Sequence, residues 1–425
     1  MLKNTCKHIS LFPFKLKEII GLLSIFFASA FSNAGGIGGG TLFIPVLLLI
    51  MHFYTHEAIP LSKIVIFFGS LSSFFLNLKL THPVRNTKAL DFNMIILICP
   101  NLLMGTVLGV TLNKILPNVI IIFLLTILLF YNTYKTFKVG IKEYENENNA
   151  MKNISAQSSL KNLDYENNNG GLNSNNNLIE NPLNDPIDEE IKKELEKDKK
   201  FLRWDKLKYI LIPFLIMAFL SILRESQITP KCSFSYWFLF IIFFIFCLII
   251  DYMSLLHVQH EFNYRTSIAF PYDIKDINWN FDKSLKISII GFLSGFIAGI
   301  IGIGGGVVLG PILLSLGIYP VVSTVTTNFL VLLTSSSTTL QFILFKMLNY
   351  EYAIVSVIFS SFGSIVGTIV IQGFFKKSGR QSYLVFALFF VIGISAIILP
   401  ISSIVSTIHD FEKGVNVFTF NDLCS

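Results

Sequence analysis

Charge is what this 425-residue chain has least of: only 14% of its residues are Asp, Glu, Lys or Arg, against about 25% in soluble globular proteins. With 52% hydrophobic residues and a mean hydropathy of +0.64, that scarcity excludes a soluble domain and points to an all-α polytopic membrane protein. Cysteine is sparse and scattered, at Cys6, Cys99, Cys232, Cys247 and Cys424. The absence of CxxC pairs or zinc-type spacing excludes a metal centre and argues against a disulfide framework. Cys99 and Cys247 fall in apolar runs and are expected to pack as small hydrophobes. No HExxH, GxSxG or paired-carboxylate pattern lies in an apolar run, so the chain is read as no enzyme, with no catalytic residues and no cofactor. Asp251 is the one acidic residue well inside such a run, and its place near a run end suggests a membrane interface. Nucleic acid is not needed to explain the formal net charge of +6, because Lys and Arg cluster between apolar runs, where they orient a membrane chain.

What is present is a series of runs each long enough to cross a bilayer, which takes about 20 residues. They cover roughly 18–50, 61–79, 92–113, 118–137, 208–223, 235–256, 286–318, 324–345, 352–374 and 382–402, giving about ten transmembrane helices. The 42 Phe residues are apolar bulk for lipid-facing surfaces. The organisation expected is a first transmembrane half over 1–137, a linker over 138–206, an inserted pair of spans over 207–257, a loop over 258–285, a second half over 286–402 and a tail over 403–425. The linker is rich in Asn, as at Asn167–Asn169 and Asn175–Asn177, carries few large apolar groups and reads as disordered and cytosolic. Its end, Asp188–Lys200, alternates charges and suits a short solvated helix. The sequon at Asn153 is then on the wrong side to be used. If the chain starts in the cytosol and every run crosses once, the Lys/Arg clusters agree, except Lys376, Lys377 and Arg380, which land outside. The basic start, apolar run and Ala28-Ser29-Ala30 also resemble a signal peptide. However, Gly21–Ala34 has a counterpart in Ile287–Ile300, which argues for retention.

That internal match is the most informative feature. Gly36-Ile37-Gly38-Gly39-Gly40 returns as Gly302-Ile303-Gly304-Gly305-Gly306, with Pro45 and Pro311 five residues on. Gly105–Gly109 aligns with Gly363–Gly367, and Ser62 with Asn328. The protein is thus two homologous halves with glycine-broken first helices. Counting four spans per half makes the repeats parallel, whereas an inverted pair needs an odd number of crossings. Consecutive glycines weaken a helix by about 1 kcal/mol each, and in hydrocarbon such a break survives only if buried in protein or lining a wet cavity. The helix that resumes after it offers free N–H groups and no side chains, which suits a small anion. Close helix packing is the other use of such glycines. The candidate substrate-binding residues are therefore Gly36, Gly38, Gly39, Gly40, Gly302, Gly304, Gly305 and Gly306, together with polar groups one span later: Ser62, Lys63, Thr326, Thr327 and Asn328. Ser and Thr here can instead bond back to their own helix. Lys63 can face a cavity or snorkel to the interface. His52, His56, Glu57 and His82 sit in loops, as weak candidates for coupling to a proton.

The stretches GGIGGGTLFIPVLLL and GIGGGVVLGPILLSLGIYP, with TVTTNF at Thr324–Phe329, resemble the TauE/SafE family of sulfite and organosulfonate exporters. Ser62-Lys63, His82-Pro83, Lys231-Cys232 and Tyr236-Trp237 look like its eukaryotic, plant-type branch, while the Asn-rich linker departs from the pattern. The resemblance covers both halves. It implies a multi-pass secondary transporter that exports a small sulfur-containing anion, with lipid as its surroundings, a proton as an allowed coupling ion and a homodimer as a compatible assembly. A membrane scaffold or receptor that recruits partners through the linker is the alternative.

Overall fold

The computed structural model describes residues 15–412 apart from 54, 86, 168–185, 201–202, 226–228, 231, 274, 379 and 381. Lys3, Lys7, Cys6, Cys424, Lys231, the Asn175–Asn177 run and the tail beyond 412 lie outside these residues, as do the side chains of His56, Asn153, Lys376 and Lys377. The named elements of the described chain are all helices, and eight of them are long and apolar enough to cross a membrane.

The first half comprises α1 (Leu16–Ala34), α2 (Gly40–Pro45) continued by a π turn (Val46–Ile50), α3 (Thr55–Asn77), α4 (Phe92–Ile115) and α5 (Asn118–Asn167). The insertion supplies α6 (Pro186–Lys199), α7 (Trp204–Glu225) and α8 (Phe234–Ser267). The second half repeats the pattern as α9 (Phe281–Ile301), α10 (Gly306–Ser315), α11 (Pro320–Leu344), α12 (Tyr350–Ser378) and α13 (Ser382–Glu412).

Each glycine break is the tip of a hairpin, not a kink in one crossing. The arm Gly40–Ile50 has 11 residues and spans only about 16 Å. It runs back along α1: a Cβ on Gly21, near the start of α1, would sit 2.5 Å from Met51 Cγ. Phe53 stacks edge-on against Tyr352, whose hydroxyl donates to Glu18 at 3.4 Å. In the second half, α10 likewise returns towards the start of α9, where the Tyr319 hydroxyl donates to Asp273.

This corrects the single-crossing count and the parallel repeat derived from it. Each half now has five elements, an odd number, and the helix directions show an inverted pair. α4 and α9 run in the same direction: Cβ atoms on Gly291, Gly295 and Gly299 would meet Ile98, Leu102 and Thr106 in order. α1 and α12 form the matching pair, with Gly363 against Phe26 and Gly367 against Ala30. In both, glycines four apart let two helix backbones touch, a common device for membrane helices. α12 also runs with α3, since Ser360 and Ser364 donate to the carbonyls of Val65 and Gly69 at 3.0 and 2.6 Å. α3 and α11 cross in opposite directions. The start of α3 (Ile59) packs with the end of α11 (Phe342), and the end of α3 leads into His82, which stacks on Tyr319 at the start of α11.

The inversion also resolves the misplaced charges. Arg380 lies over the Tyr144 ring, and Ser382 N donates to Glu147 at 3.0 Å. Lys275 pairs with Glu143 at 2.6 Å and Arg85 with Asp276 at 2.7 Å. Lys79, Lys88, Arg203, Arg265 and Arg380 therefore share one face, and Lys15, Lys17, Lys114, Arg224 and Lys346 lie at the other. Cys232, in the α7–α8 connection on that second face, is disulfide-bonded, a bond that the scattered cysteines, read as no disulfide framework, did not suggest, while Cys99 and Cys247 are free and buried as expected.

The boundaries shift accordingly. α8 runs ten residues beyond 257, α9 begins at Phe281, and the loop between them is 268–280. Where a disordered linker was expected, α5 continues to Asn167 and α6 forms over Pro186–Lys199. The second has a physical cause: its acidic residues dock on buried arginines, Asp198 and Glu194 on Arg265 at 2.8 and 3.1 Å, and Asp198 on Arg203 at 3.2 Å.

Candidate functional site

The two glycine tips meet at the centre of the molecule. A Cβ on Gly40 would lie 3.0 Å from Gly304 N, and one on Gly306 would lie 2.8 Å from Gly36 O and 3.0 Å from Ile37 O. Ile37 and Ile303, the middle residues of the two tips, are both 0% exposed. α3 and α11 close the sides: Gly38 rests against Val331 and Ile66, Gly36 against Thr324, and Gly305 against Thr334. The tips are not equal in backbone. Gly36, Gly38 and Gly39 have φ of 78°, 84° and 78°, whereas in the second tip only Gly302 is left-handed, at 78°.

In the first tip, Ile37 N donates to Ser32 O, and helical bonding resumes at Leu42 N and Phe43 N, both to Gly39 O. In the second, Gly302 N closes α9 on Ala298 O, and bonding resumes with Val307 N to Gly304 O. Where the tips touch, Gly304 N lies beside Gly40, and the Gly36 and Ile37 carbonyl oxygens lie beside Gly306, at the start of the two returning arms. Helix starts carry unsatisfied N–H groups and a partial positive charge.

Lys63 reaches this centre from α3. It is 0% exposed, and its ammonium donates to Ile303 O at 2.7 Å and Ala298 O at 3.2 Å. It does not snorkel, and it meets no carboxylate among the described residues. It holds the carbonyls at the end of α9, where a cation opposes the negative end of the helix dipole. Its place in the second half is taken by Phe329, so the charge at the centre comes from one half only.

The remaining predicted residues divide. Ser62 donates to Ile59 O at 2.8 Å and Thr327 to Ser323 O at 2.6 Å, both back-bonding within their helices. Ser70, Ser72, Thr334, Ser335 and Ser336 do the same. Thr326 and Asn328 reach across instead. Thr326 Oγ1 accepts from Asp91 N at 3.2 Å, and Asn328 donates to Ser73 at 2.7 Å while its buried carbonyl oxygen has no partner among the described residues. Asn33, one turn before the first tip, has the same unfilled oxygen. Sequence reasoning passed over Asn33, although a buried amide just before a glycine break was a visible signal.

Above the tips, on the Lys/Arg-rich face, a polar cavity of about 100 Å³ opens between loop 78–91, α7 and the 268–280 loop, with Lys88, Asp91, Asn93, Lys206 and Tyr319 in its walls. Asp91 caps α4, accepting from Asn93 N and Met94 N at 3.0 and 3.2 Å. Burial pushes its carboxyl up. His82 is held in the loop by accepting from the Val84 and Arg85 amides at 3.3 and 3.2 Å, and burial, then the Arg85 charge, push it down. It is 8% exposed, not the solvated loop residue expected. His52, by contrast, is exposed at the base of the first hairpin.

The family model described as "Sulfite exporter TauE/SafE" matches residues 21–160 and 196–399. The chain belongs to the TauE/SafE family. The matched stretches leave out 161–195, within the Asn-rich segment. The chain is 29% identical over 97% of its length to the Arabidopsis thaliana protein "Sulfite exporter TauE/SafE family protein 3", covering 84% of that protein. It is 27% identical over 94% of its length to "Sulfite exporter TauE/SafE family protein 1" of the same plant, covering 86% of it. No solved structure matches. Membership makes the chain an integral, multi-pass membrane protein of a transporter family with small anionic substrates, and the plant relatives agree with the plant-type features of its sequence.

Proposed function

We propose that this TauE/SafE protein is a secondary transporter that exports a small sulfur-containing oxyanion, sulfite or an organosulfonate, from the cytosol. The observation that carries the reading is the meeting of two glycine tips at the centre of an inverted repeat, beside the buried ammonium of Lys63. Inverted-repeat transporters place their substrate near the bilayer midplane where the halves meet, and use discontinuous helices whose N-termini face anionic groups. Gly38, Gly39, Gly40, Gly304, Gly305 and Gly306 give the backbone N–H groups, Gly36 and Gly302, whose own N–H groups close on Asn33 O and Ala298 O, shape the two tips, Lys63 gives the charge, and Asn328 and Thr326 a polar lining towards the cavity.

In this conformation the tips touch, so the anion enters when one half moves against the other. The Lys/Arg-rich face is the cytosolic one by the positive-inside rule, and the disulfide at Cys232 on the other face suits an oxidising compartment. The polar cavity is then the cytosolic vestibule. The relatives named sulfite exporters support the substrate class and direction. Purified protein in liposomes should carry at least one of sulfite, thiosulfate, sulfate or taurine. Failure with the whole panel would sink the substrate class.

A further inference from the structure

The insertion carries polar chemistry that the repeat does not explain. Asp251 lies in the middle of α8, 7% exposed. Its Oδ1 accepts from Ser288 Oγ of α9 at 2.5 Å, and Asn101 Nδ2 of α4 donates to the same Ser288 hydroxyl. The acid is thus tied to the α4–α9 pair, one of the two glycine-packed joints of the fold. In the other joint, the positions matching Asn101 and Ser288 are Phe359 and Leu22, so this polar triad breaks the pseudo-symmetry.

From Asp251 a stripe of polar groups climbs α8 to the vestibule. Ser254, His257 and Glu261 follow at intervals of three, three and four residues, which keeps them on one helix face. The stripe covers about 15 Å. Ser254 is 0% exposed, and its hydroxyl has no partner among the described residues; neither has His257 Nε2. Glu261 closes the outer end, paired with Lys206 at 2.6 Å and Arg203 at 2.9 Å beside the vestibule. An intramembrane acid is costly and marks a relay or ion path by default, and unfilled polar groups in hydrocarbon need an occupant.

We infer that α8 is a proton path from the vestibule, through Glu261, His257 and Ser254, to a proton-binding carboxyl at Asp251. The proton adds to the Asp251 carboxylate to give the neutral acid and is released from it later in the cycle; no bond other than O–H is made or broken. A metal ion suits the place less well: one carboxylate and one hydroxyl are too few oxygens, and Asn101 turns its N–H groups inward. The other titratable and charged groups facing the stripe are Cys99 of α4, Cys247 and Arg265 of α8, Tyr209, Arg203, Asp205 and Lys206 of α7, and Tyr272 of the 268–280 loop. From α6, Asp198 and Glu194 face it only through Arg203 and Arg265. α9 offers the stripe the Ser288 hydroxyl.

As a coupling path this rests on the transport reading, so two measurements are paired. The first is infrared difference spectroscopy on the full chain in nanodiscs as pH is varied. It should show the carbonyl stretch of a protonated carboxyl that vanishes in Asp251→Asn and shifts in Ser288→Ala. The second follows sulfite and proton movement together in liposomes. Wild type should co-transport protons, and Asp251→Asn should still exchange sulfite across the membrane but move no protons with it. His257→Phe should slow the proton step. A carboxyl band unchanged in Asp251→Asn, or proton-coupled flux equal to wild type in that variant, overturns the inference. So does wild-type sulfite flux without protons. Absence of any anion flux in wild type sinks the transport reading instead, and the infrared arm still decides whether Asp251 holds a proton.

Discussion

Adding one methyl group at each of two glycines in α10 should have opposite effects. Gly306 begins α10 and faces the first tip: a Cβ there would lie 2.4 Å from Val331 Cγ2, 2.8 Å from Gly36 O and 3.0 Å from Ile37 O. Two of those three neighbours are backbone atoms that cannot rotate away. Gly310, one turn on, would place its Cβ no closer than 3.9 Å to Leu388 Cδ1, an ordinary contact. Ala is better than Gly in a helix by about 0.5–1 kcal/mol, so Gly310→Ala should be neutral or stabilising by up to about 1 kcal/mol. Overpacking costs about 1–3 kcal/mol, and since the backbone must give, Gly306→Ala should sit near the upper end, leaving a gap between the variants of about 2–3 kcal/mol. Thermal melting of the two purified proteins in one detergent measures it, with Gly306→Ala melting several degrees lower. Equal melting points, or the reverse order, would refute the claim that the two tips are in backbone contact.

Other outcomes follow from the same geometry. Lys63→Met removes two charge-assisted hydrogen bonds worth about 1.5–3 kcal/mol each but also the cost of a buried charge, so melting should change little while anion flux in liposomes falls by at least about tenfold. Single cysteines in place of Lys275 and Lys346 should be labelled by an impermeant reagent from opposite sides of the membrane; labelling from the same side would refute the inverted repeat. His82 is held below its usual range by burial and Arg85, so below about pH 6.5 the unfolded state binds more protons than the folded one and stability falls as pH drops. Hydrogen exchange of loop 78–91 should therefore quicken on acidification, and His82→Gln should flatten that response.

The sequence displayed the break itself, its repetition and the matching glycine pairs Gly105/Gly109 and Gly363/Gly367, because each leaves a fixed spacing in the chain. It hid the hairpins. A run such as 18–50 has the same hydropathy whether it crosses once or doubles back, and long-range contacts such as Met51 on Gly21 and Phe53 on Tyr352 distinguish the two. The side on which Lys376, Lys377 and Arg380 fall, and the symmetry of the repeat, depend on that same doubling back. At the site, Lys63 was visible as a charge in an apolar run. Its partners, the carbonyls of Ala298 and Ile303, were not, since a backbone acceptor in the other half leaves no mark on composition. Asp251 was visible too as an acid in an apolar run, while its partner Ser288 of α9 was not, since that contact joins positions far apart in the chain. Asp188–Lys200 showed its helix-like charge pattern, while the buried arginines that fix it lie elsewhere in the chain.

The central claim is that the anion passes where the glycine tips meet. Gly304 is the place to test it, because a Cβ there would approach Ile37 O at 3.2 Å and Val331 Cγ1 at 3.4 Å, close enough to fill the tip and open enough to fold. Initial sulfite flux through liposomes holding equal amounts of folded wild type and Gly304→Ala measures the effect directly. The account predicts an unchanged melting point and a flux at least about tenfold lower, the loss of more than about 1.4 kcal/mol of transition-state stabilisation. Flux equal to wild type would contradict it.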